Sequence, residues 1–222
     1  MTASLKIDFV SDVACPWCAI GLGALEKAIA NIGDEIDTQI HFQPFQLNPD
    51  MPPEGQDIIE HLTQKYGSSA EQQAQTYEAI RQRGEPLGFE FRLGGRGRTW
   101  NTFDCHRLLH WAGELGLDAA GESIQKLMKK AMLASYFTYG LNPGDRTVLL
   151  DVVTKLGLDT TRASAILDSD EFTPEVRARQ RFYAANEIHA VPAVIINDRH
   201  LISGGQPVEV FEQALRKIAK QG

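Results

Sequence analysis

Two cysteines with two residues between them stand where a strand pattern gives way to a helix pattern. Apolar and polar residues alternate over residues 5–10, which predicts a strand. Cys15 follows after a short turn, Pro16 suits the first turn of a helix, and apolar residues recur at near-helical spacing over residues 17–32. Alternation then returns over residues 36–42. The chain is therefore predicted to open with a strand, a helix and a second, parallel strand joined by a right-handed crossover.

The middle of the chain has a helical pattern instead. Prolines between residues 44 and 53 interrupt the alternation, and residues 89–93 alone suggest a short extended segment. Strand signals return at residues 193–196 and 200–203, with a turn between them, before a last helix from Pro207 to about Lys220. The helices predicted between these two regions cover residues 56–66, 70–83, 102–115, 119–139, 146–156 and 174–187.

This order predicts an α/β fold in which both ends of the chain build one sheet. A β-α-β unit comes first and a β-β-α unit comes last, and a large all-helical insertion separates them. We predict a discontinuous sheet domain over residues 1–48 and 187–222, and a helical insertion domain over residues 49–186.

The composition narrows the classes of function. A formal net charge of −7 argues against a nucleic-acid partner, because phosphate binding normally needs a basic face. No stretch approaches the roughly 20 apolar residues of a membrane span, and residues 1–10 lack the apolar region of a signal peptide, so we expect a cytoplasmic protein. Three cysteines are too few for a disulfide framework, and cytosolic disulfides are usually transient and catalytic.

The position of the cysteine pair predicts thiol–disulfide exchange. A cysteine at a helix N-terminus is acidic, because unpaired N–H groups and the helix dipole stabilise its thiolate. Cys15 has that position and is predicted to be the exposed nucleophile. Cys18 lies one turn further along, close enough to attack Cys15 after Cys15 has formed a mixed disulfide with a substrate. Pro16 and Trp17 lie between them and are expected to tune the reduction potential.

Two other interpretations of the pair stay open at this stage. A structural zinc site would need two more ligands, and Cys105, His106 and His110 share a predicted helix. The other interpretation is two buried cysteines without function, which their place between a strand and a helix disfavours. We expect no metal, and we expect Cys105 to be a small buried hydrophobe, with a third redox role as its alternative.

Two further features have weaker signals. Asp12, three residues before Cys15, is expected to cap a turn, with proton acceptance from Cys18 as the alternative. Residues 94–98 read Gly-Gly-Arg-Gly-Arg, which lacks the spacing of a phosphate loop and predicts a flexible basic loop. The alternative role of that loop is to hold an anionic substrate or glutathione.

A proline far along the chain completes the candidate site. Pro192 precedes the predicted strand of residues 193–196, a position where proline is tolerated. The functional interpretation is a cis Val191–Pro192 peptide that faces the cysteines and offers the Val191 backbone to an extended substrate.

The chain resembles the DsbA-like branch of thioredoxin-fold oxidoreductases, and within it the FrnE group. The resemblance implies a thioredoxin-like fold interrupted by a helical domain, and a protein disulfide oxidoreductase in which Val191 and Pro192 dock the substrate. The motifs that carry it follow in order along almost the whole chain: Ser11-Asp12-Val13 before Cys15-Pro16-Trp17-Cys18, Pro44-Phe45-Gln46-Leu47-Asn48-Pro49, Asn101-Thr102-Phe103-Asp104, His106-Arg107-Leu108-Leu109-His110, Val191-Pro192 and Ile202-Ser203-Gly204-Gly205-Gln206-Pro207.

The resemblance also indicates which substrates, cofactors and oligomeric states to expect. It implies a protein or small-molecule thiol or disulfide as substrate, no resident cofactor, glutathione as a candidate co-substrate, and a monomer or homodimer. The alternative on the same fold is a glutathione-dependent isomerase or transferase of the 2-hydroxychromene-2-carboxylate isomerase type. Those enzymes carry a residue other than cysteine at the first position, so the presence of both Cys15 and Cys18 favours redox exchange.

Overall fold

The computed structural model describes residues 3–221. Within that range no helix combines the length and the apolar character needed to cross a membrane. The strands are β1 (Ala3–Ser11), β2 (Ile36–Pro44), β3 (Gln56–Asp57), β4 (Arg98–Thr99), β5 (Ala193–Ile196) and β6 (His200–Ser203). The helices are α1 (Pro16–Ile32), α2 (Ile58–Tyr66), α3 (Ala70–Gly84), α4 (Phe103–Leu115), α5 (Ile124–Phe137), α6 (Arg146–Lys155), α7 (Thr160–Leu167), α8 (Thr173–Ala185) and α9 (Val208–Ala219).

A four-stranded sheet joins the two ends of the chain in the order β2-β1-β5-β6. β1 and β2 are parallel, as the connection through α1 predicts, and β5 lies antiparallel on the other side of β1. β6 then pairs antiparallel with β5. Val10 is opposite Ala193 in this register, so the end of β1 that leads to Cys15 lies beside the start of β5 that follows Pro192.

The buried apolar residues form two large cores, and α5 contributes to both of them. The core of the sheet combines buried residues of β1 with the inward faces of α1 and α9, including Phe9, Leu25, Phe211 and Leu215. A second core lies among α4, α5, α6 and α7. The thioredoxin-like fold with a large helical insertion is therefore confirmed, while the exact domain boundaries stay a prediction.

The Gln125 side chain of the helical insertion joins the insertion to the sheet. The amide of Gln125 on α5 accepts from the Phe42 N–H at 2.9 Å and donates to the Phe42 carbonyl at 3.1 Å. The same amide nitrogen donates to the Leu109 carbonyl at 3.0 Å. Phe42 belongs to the edge strand β2, whose backbone groups lack a strand partner on that side. Gln125 therefore supplies hydrogen-bond partners to backbone groups at the sheet edge and holds α5 against that edge.

Several predicted element boundaries were wrong, and local hydrogen bonds explain why. The helix predicted from residue 119 begins at Ile124, because Asp118 accepts from two backbone N–H groups and holds a turn ahead of the Ser123 N-cap. The helix predicted from residue 56 begins at Ile58, since residues 56–57 pair with β4. Residues 89–93 form no strand, and α7 was not predicted at all. The predicted N-caps Ser69 and Asp145 are confirmed.

Candidate active site

Cys15 is the N-cap of α1, and Pro16 opens the helix, as the sequence predicts. The turn before it is held by Asp12, whose two carboxylate oxygens accept from the Ala14 N–H at 3.2 Å and the Leu47 N–H at 2.7 Å. The Cys15 N–H donates to the Asp12 carbonyl at 3.3 Å. Asp12 therefore has the turn role expected of it, and it also ties the cysteine loop to the segment that follows β2.

The two thiols have opposite electrostatic environments. Hydrogen bonding from the Cys18 side chain and its N–H outweighs burial and lowers the pKa of Cys15. Burial, together with the neighbouring Cys15 sulfur, raises the pKa of Cys18. Both cysteines are free thiols in this structure. Cys15 is therefore the more acidic of the two thiols.

The prediction that Cys15 is exposed was wrong. Cys15 is only 3% exposed to solvent, and Cys18 is fully buried. Cys15 belongs to the core of the sheet, with Trp17 and Val191 packed against that core. Neighbouring groups therefore cover Cys15 in this structure.

The proline loop lies against Cys15, although the two are 176 residues apart in sequence. The Val191–Pro192 peptide bond is cis, and the Cys15 thiol lies 3.5 Å from the Val191 carbonyl oxygen, to which it donates. The Pro192 carbonyl in turn accepts from the Gly204 N–H at 2.8 Å. These contacts place the Val191 backbone beside the Cys15 sulfur.

Pro16 and Trp17 lie between the two cysteines at the start of α1. Pro16 is buried, and Trp17 is half-buried with the Arg83 guanidinium 5.2 Å from its ring centre. This cation–π contact fixes the ring beside the cysteines. Their effect on the reduction potential stays a prediction.

Arg96 reaches the site from the loop that the sequence predicted to be flexible. Its Nη1 donates to the Ala14 carbonyl at 2.6 Å, and its guanidinium lies 5.7 Å from the Tyr136 ring centre. The charge of Arg96 also lowers the pKa of Cys15, as the last of several influences. Sequence reasoning missed this anchor. The signal available in the sequence was an arginine between two glycines. Glycine neighbours leave the backbone free to turn, so that the arginine side chain can extend toward the protein interior.

His106 approaches the same loop from α4. Its Nε2 lies 3.5 Å from Asp12 Oδ1, although among the described residues no group hydrogen-bonds to that nitrogen. Burial lowers the pKa of His106. Burial by itself would raise the pKa of the Asp12 carboxyl, but the His106 ring and the Leu47 N–H outweigh burial, so the pKa of Asp12 is lowered. His106 of α4 therefore lies buried beside Asp12 of the cysteine loop.

The residues of the zinc interpretation do not converge on the cysteine pair. The Cys105 thiol donates to the Pro143 carbonyl at 3.0 Å, and the His110 ring stacks on Phe172 with centres 5.0 Å apart. Across residues 3–221 no group of three or more His, Cys, Asp or Glu side chains is arranged to hold a metal ion. Cys105 is fully buried, and burial raises its pKa, which fits a packing residue and not a reactive thiol.

The match to a known family covers nearly the whole chain. Residues 6–216 match the family model described as the DSBA-like thioredoxin domain. The chain belongs to this family. The probable DsbA oxidoreductase SCO1869 from Streptomyces coelicolor is 30% identical, with a TM-score of 0.87 over 98% of this chain and 90% of that one. Family membership and fold are thus established by sequence and structure together.

Two more distant structures share the fold alone. A 2-hydroxychromene-2-carboxylate isomerase (HCCA isomerase) is 14% identical, with a TM-score of 0.73 over 97% of both chains. The cytosolic disulfide reductase DsbM from Pseudomonas aeruginosa, determined with GSH, is 14% identical, with a TM-score of 0.63 over 97% of this chain and 99% of that one. The fold therefore occurs both in disulfide reductases and in isomerases.

Proposed function

We propose that this protein is a thiol–disulfide oxidoreductase of the FrnE type, with Cys15 as the nucleophile and Cys18 as the resolving thiol. The observation that carries the proposal is the contrast between the two thiols at the start of α1. The pKa of Cys15 is lowered and that of Cys18 is raised, and both cysteines lie within one helical turn. A zinc site or a packing pair would not need this contrast.

The reaction proceeds in two exchange steps. The Cys15 thiolate attacks one sulfur of a substrate disulfide, forms a mixed disulfide and releases the first substrate thiolate. The Cys18 thiolate then attacks Cys15 Sγ, forms the Cys15–Cys18 disulfide and releases the second substrate thiolate. Two electrons pass from the enzyme to the substrate. The same steps in reverse oxidise a substrate dithiol.

The Val191 backbone is the proposed docking edge for the substrate. Its carbonyl lies 3.5 Å from Cys15 Sγ, so an extended segment that pairs with this backbone would bring its own sulfur next to Cys15. The substrate class is a protein or small-molecule thiol or disulfide, and Pro16 and Trp17 would tune the potential. Glutathione is a candidate co-substrate, because the Arg83 and Arg96 cations stand beside the site and DsbM was determined with GSH. The cytosolic description of DsbM supports a cytoplasmic location.

The test is insulin reduction with single cysteine variants. We expect Cys15→Ser to abolish turnover, because serine is not a thiol nucleophile. The matched control is Cys105→Ser, which removes a buried thiol outside the pair and should leave the chemistry intact if the protein stays folded. Full activity of Cys15→Ser would refute the assignment.

The similarity to HCCA isomerase over 97% of both chains supports a second candidate, a glutathione-dependent isomerase or transferase. In that case the protein would bind glutathione tightly, and turnover would survive Cys18→Ser. Calorimetric titration with glutathione, combined with a turnover assay of that variant, separates the two functions. Loss of activity in Cys18→Ser without tight glutathione binding would exclude the isomerase.

A further inference from the structure

The peptide group between Ala14 and Cys15 is hydrogen-bonded at both ends. Its N–H, which belongs to Cys15, donates to the Asp12 carbonyl at 3.3 Å, and its carbonyl, which belongs to Ala14, accepts from Arg96 Nη1 at 2.6 Å. Cys15 is the N-cap of α1 and has an extended backbone, so the hydrogen bonds within α1 do not hold this peptide. Because a peptide group is planar, bonds at both of its ends fix its orientation and with it the Cα atom of Cys15.

The segment that carries Arg96 is bound to α5 on both sides of the arginine. The Arg92 N–H donates to the Phe137 carbonyl at 2.9 Å, and the Tyr136 hydroxyl donates to the Arg98 carbonyl at 2.7 Å. Since α5 belongs to the helical insertion, Arg96 connects the insertion to a residue of the cysteine loop that lies 82 positions away in the chain. This connection has a fixed support, although the sequence of the segment predicts a flexible loop.

The guanidinium of Arg96 is held by aromatic rings as well as by the Ala14 carbonyl. It lies 5.7 Å from the Tyr136 ring centre and 5.6 Å from the Phe137 ring centre, and both rings are buried. A guanidinium is planar and always charged, so it can stack on aromatic faces while its N–H groups donate to an acceptor. These contacts fix the direction from which Arg96 approaches the cysteine loop.

Glycines allow the backbone to bring Arg96 to this position. Gly94 and Gly95 have φ angles of +76° and +77°, a conformation that residues with a side chain rarely adopt. A Cβ atom at Gly95 would also contact the Tyr77 ring at 3.6 Å. The path that Arg96 requires therefore explains the glycines of residues 94–98, which have no part in the two exchange steps.

We propose that Arg96 is a positioning residue for the nucleophile, which acts through the Ala14 carbonyl and couples the helical insertion to the reactivity of Cys15. This inference rests on the proposed function. The bond to Ala14 keeps the turn in the conformation that places Cys15 Sγ 3.5 Å from the Val191 carbonyl oxygen and within reach of the hydrogen-bonding groups of Cys18. Without Arg96 the peptide before Cys15 loses one of its two bonds, and the sulfur is held less firmly in this environment.

Removal of Arg96 should make Cys15 less acidic. Hydrogen bonds from Cys18 lower the pKa of Cys15 and depend on the position of its sulfur, and the nearby charge of Arg96 acts in the same direction. Burial and the charge of Asp12 raise the pKa of Cys15. In Arg96→Met the lowering effects weaken and the raising effects remain, so the pKa of Cys15 should rise.

The experiment measures how fast iodoacetamide alkylates Cys15 in the reduced protein as a function of pH, with mass spectrometry to confirm the alkylated residue. The thiolate is the reactive form, so the midpoint of the profile gives the pKa of Cys15. We expect Arg96→Met to raise the midpoint by about one pH unit, which makes alkylation about tenfold slower below the wild-type midpoint. An unchanged midpoint in a folded Arg96→Met protein would overturn the inference.

Arg98→Met is the matched control. Arg98 lies in the same segment, and its guanidinium also donates to backbone carbonyls, those of Glu54 and Gly55, at 2.9–3.2 Å and stacks on the Trp100 ring with its centre 5.4 Å away. The substitution removes the same charge and the same kinds of contact without changing the bond to the cysteine loop, so we expect the wild-type midpoint. A shift as large as that of Arg96→Met would indicate general loosening of the segment and would contradict a positioning role for Arg96.

A measurement on the unsubstituted protein covers the case in which Arg96→Met does not fold. The guanidinium nitrogen signals of Arg96, followed by NMR with labelled arginine, should shift at the pH at which the Cys15 thiolate forms, which ultraviolet absorbance reports independently. The absence of a shift at that pH would refute the coupling between Arg96 and the cysteine loop. Both readouts are independent of disulfide exchange, whereas insulin reduction that does not depend on Cys15 would refute the proposed function itself.

Discussion

Gly21 on α1 determines how closely the proline loop can approach the cysteine helix. A Cβ atom at this position would lie 3.0 Å from Pro192 Cγ and 3.3 Å from Gly205 Cα. Carbon atoms in contact prefer about 3.5–4.0 Å. Neither neighbour is the end of a flexible side chain, since one is a proline ring and the other is backbone. Replacement of Gly21 by alanine must therefore move the Pro192 loop or the helix.

The magnitude follows from two opposing effects. Alanine in place of glycine stabilises a helix interior by roughly 1 kcal/mol, whereas overpacking a tight contact costs about 1–3 kcal/mol. We expect Gly21→Ala to lower the free energy of unfolding by up to about 2 kcal/mol. The change should also displace the Val191 carbonyl from its 3.5 Å contact with Cys15 Sγ, so that disulfide exchange falls more than stability alone would explain.

Urea denaturation measures the stability, and insulin reduction under fully folded conditions measures the exchange. Gly23→Ala is the control on the same helix, because its Cβ would crowd Leu87 Cβ at 3.2 Å and does not meet the proline loop. A similar stability change with normal exchange is expected for Gly23→Ala. If Gly21→Ala instead gains about 1 kcal/mol and exchanges at the wild-type rate, the close packing does not position the loop and the reasoning is wrong.

Two further predictions concern the supports of the site. The pKa of the Asp12 carboxyl is lowered in the fold, so the ionised carboxylate stabilises the protein above its ordinary pKa of about 4, and this stabilisation is lost as the pH falls through the lower pKa of the folded state. Urea denaturation should therefore show that the difference in free energy of unfolding between the wild type and Asp12→Asn shrinks in this acid range. A difference that stays constant there would contradict the prediction. Gln125→Leu leaves buried Phe42 backbone groups unpaired and should cost about 1–3 kcal/mol in urea denaturation, whereas the exposed Gln82→Leu should change stability by less than about 0.5 kcal/mol.

Local chemistry explains the elements that were predicted correctly. Pro16 can only begin a helix, and Ser69 and Asp145 satisfy backbone N–H groups within their own first turns. The failures at α2 and α5 have the same local origin. Asp57 is the N-cap of α2 and Ser123 is the N-cap of α5. The turn held by Asp118 keeps the residues before Ser123 out of the helix. α7 was missed because its eight residues carry a short apolar pattern.

The sequence by itself determined that a cysteine pair starts a helix after a strand, because the strand period, the proline and the cysteine spacing all act within a few residues. The motifs were also sufficient for the family. Only the tertiary structure decided that Cys15 is buried, that Val191 stands beside it, that Arg96 reaches the loop and that Lys129 on α5 is fully buried. A lysine on an amphipathic helix is ordinarily solvated, and its burial depends on which face of α5 the sheet covers. That choice is made by packing between segments that lie far apart in the chain, such as Phe42 and Gln125, 83 residues apart, and no local pattern encodes it.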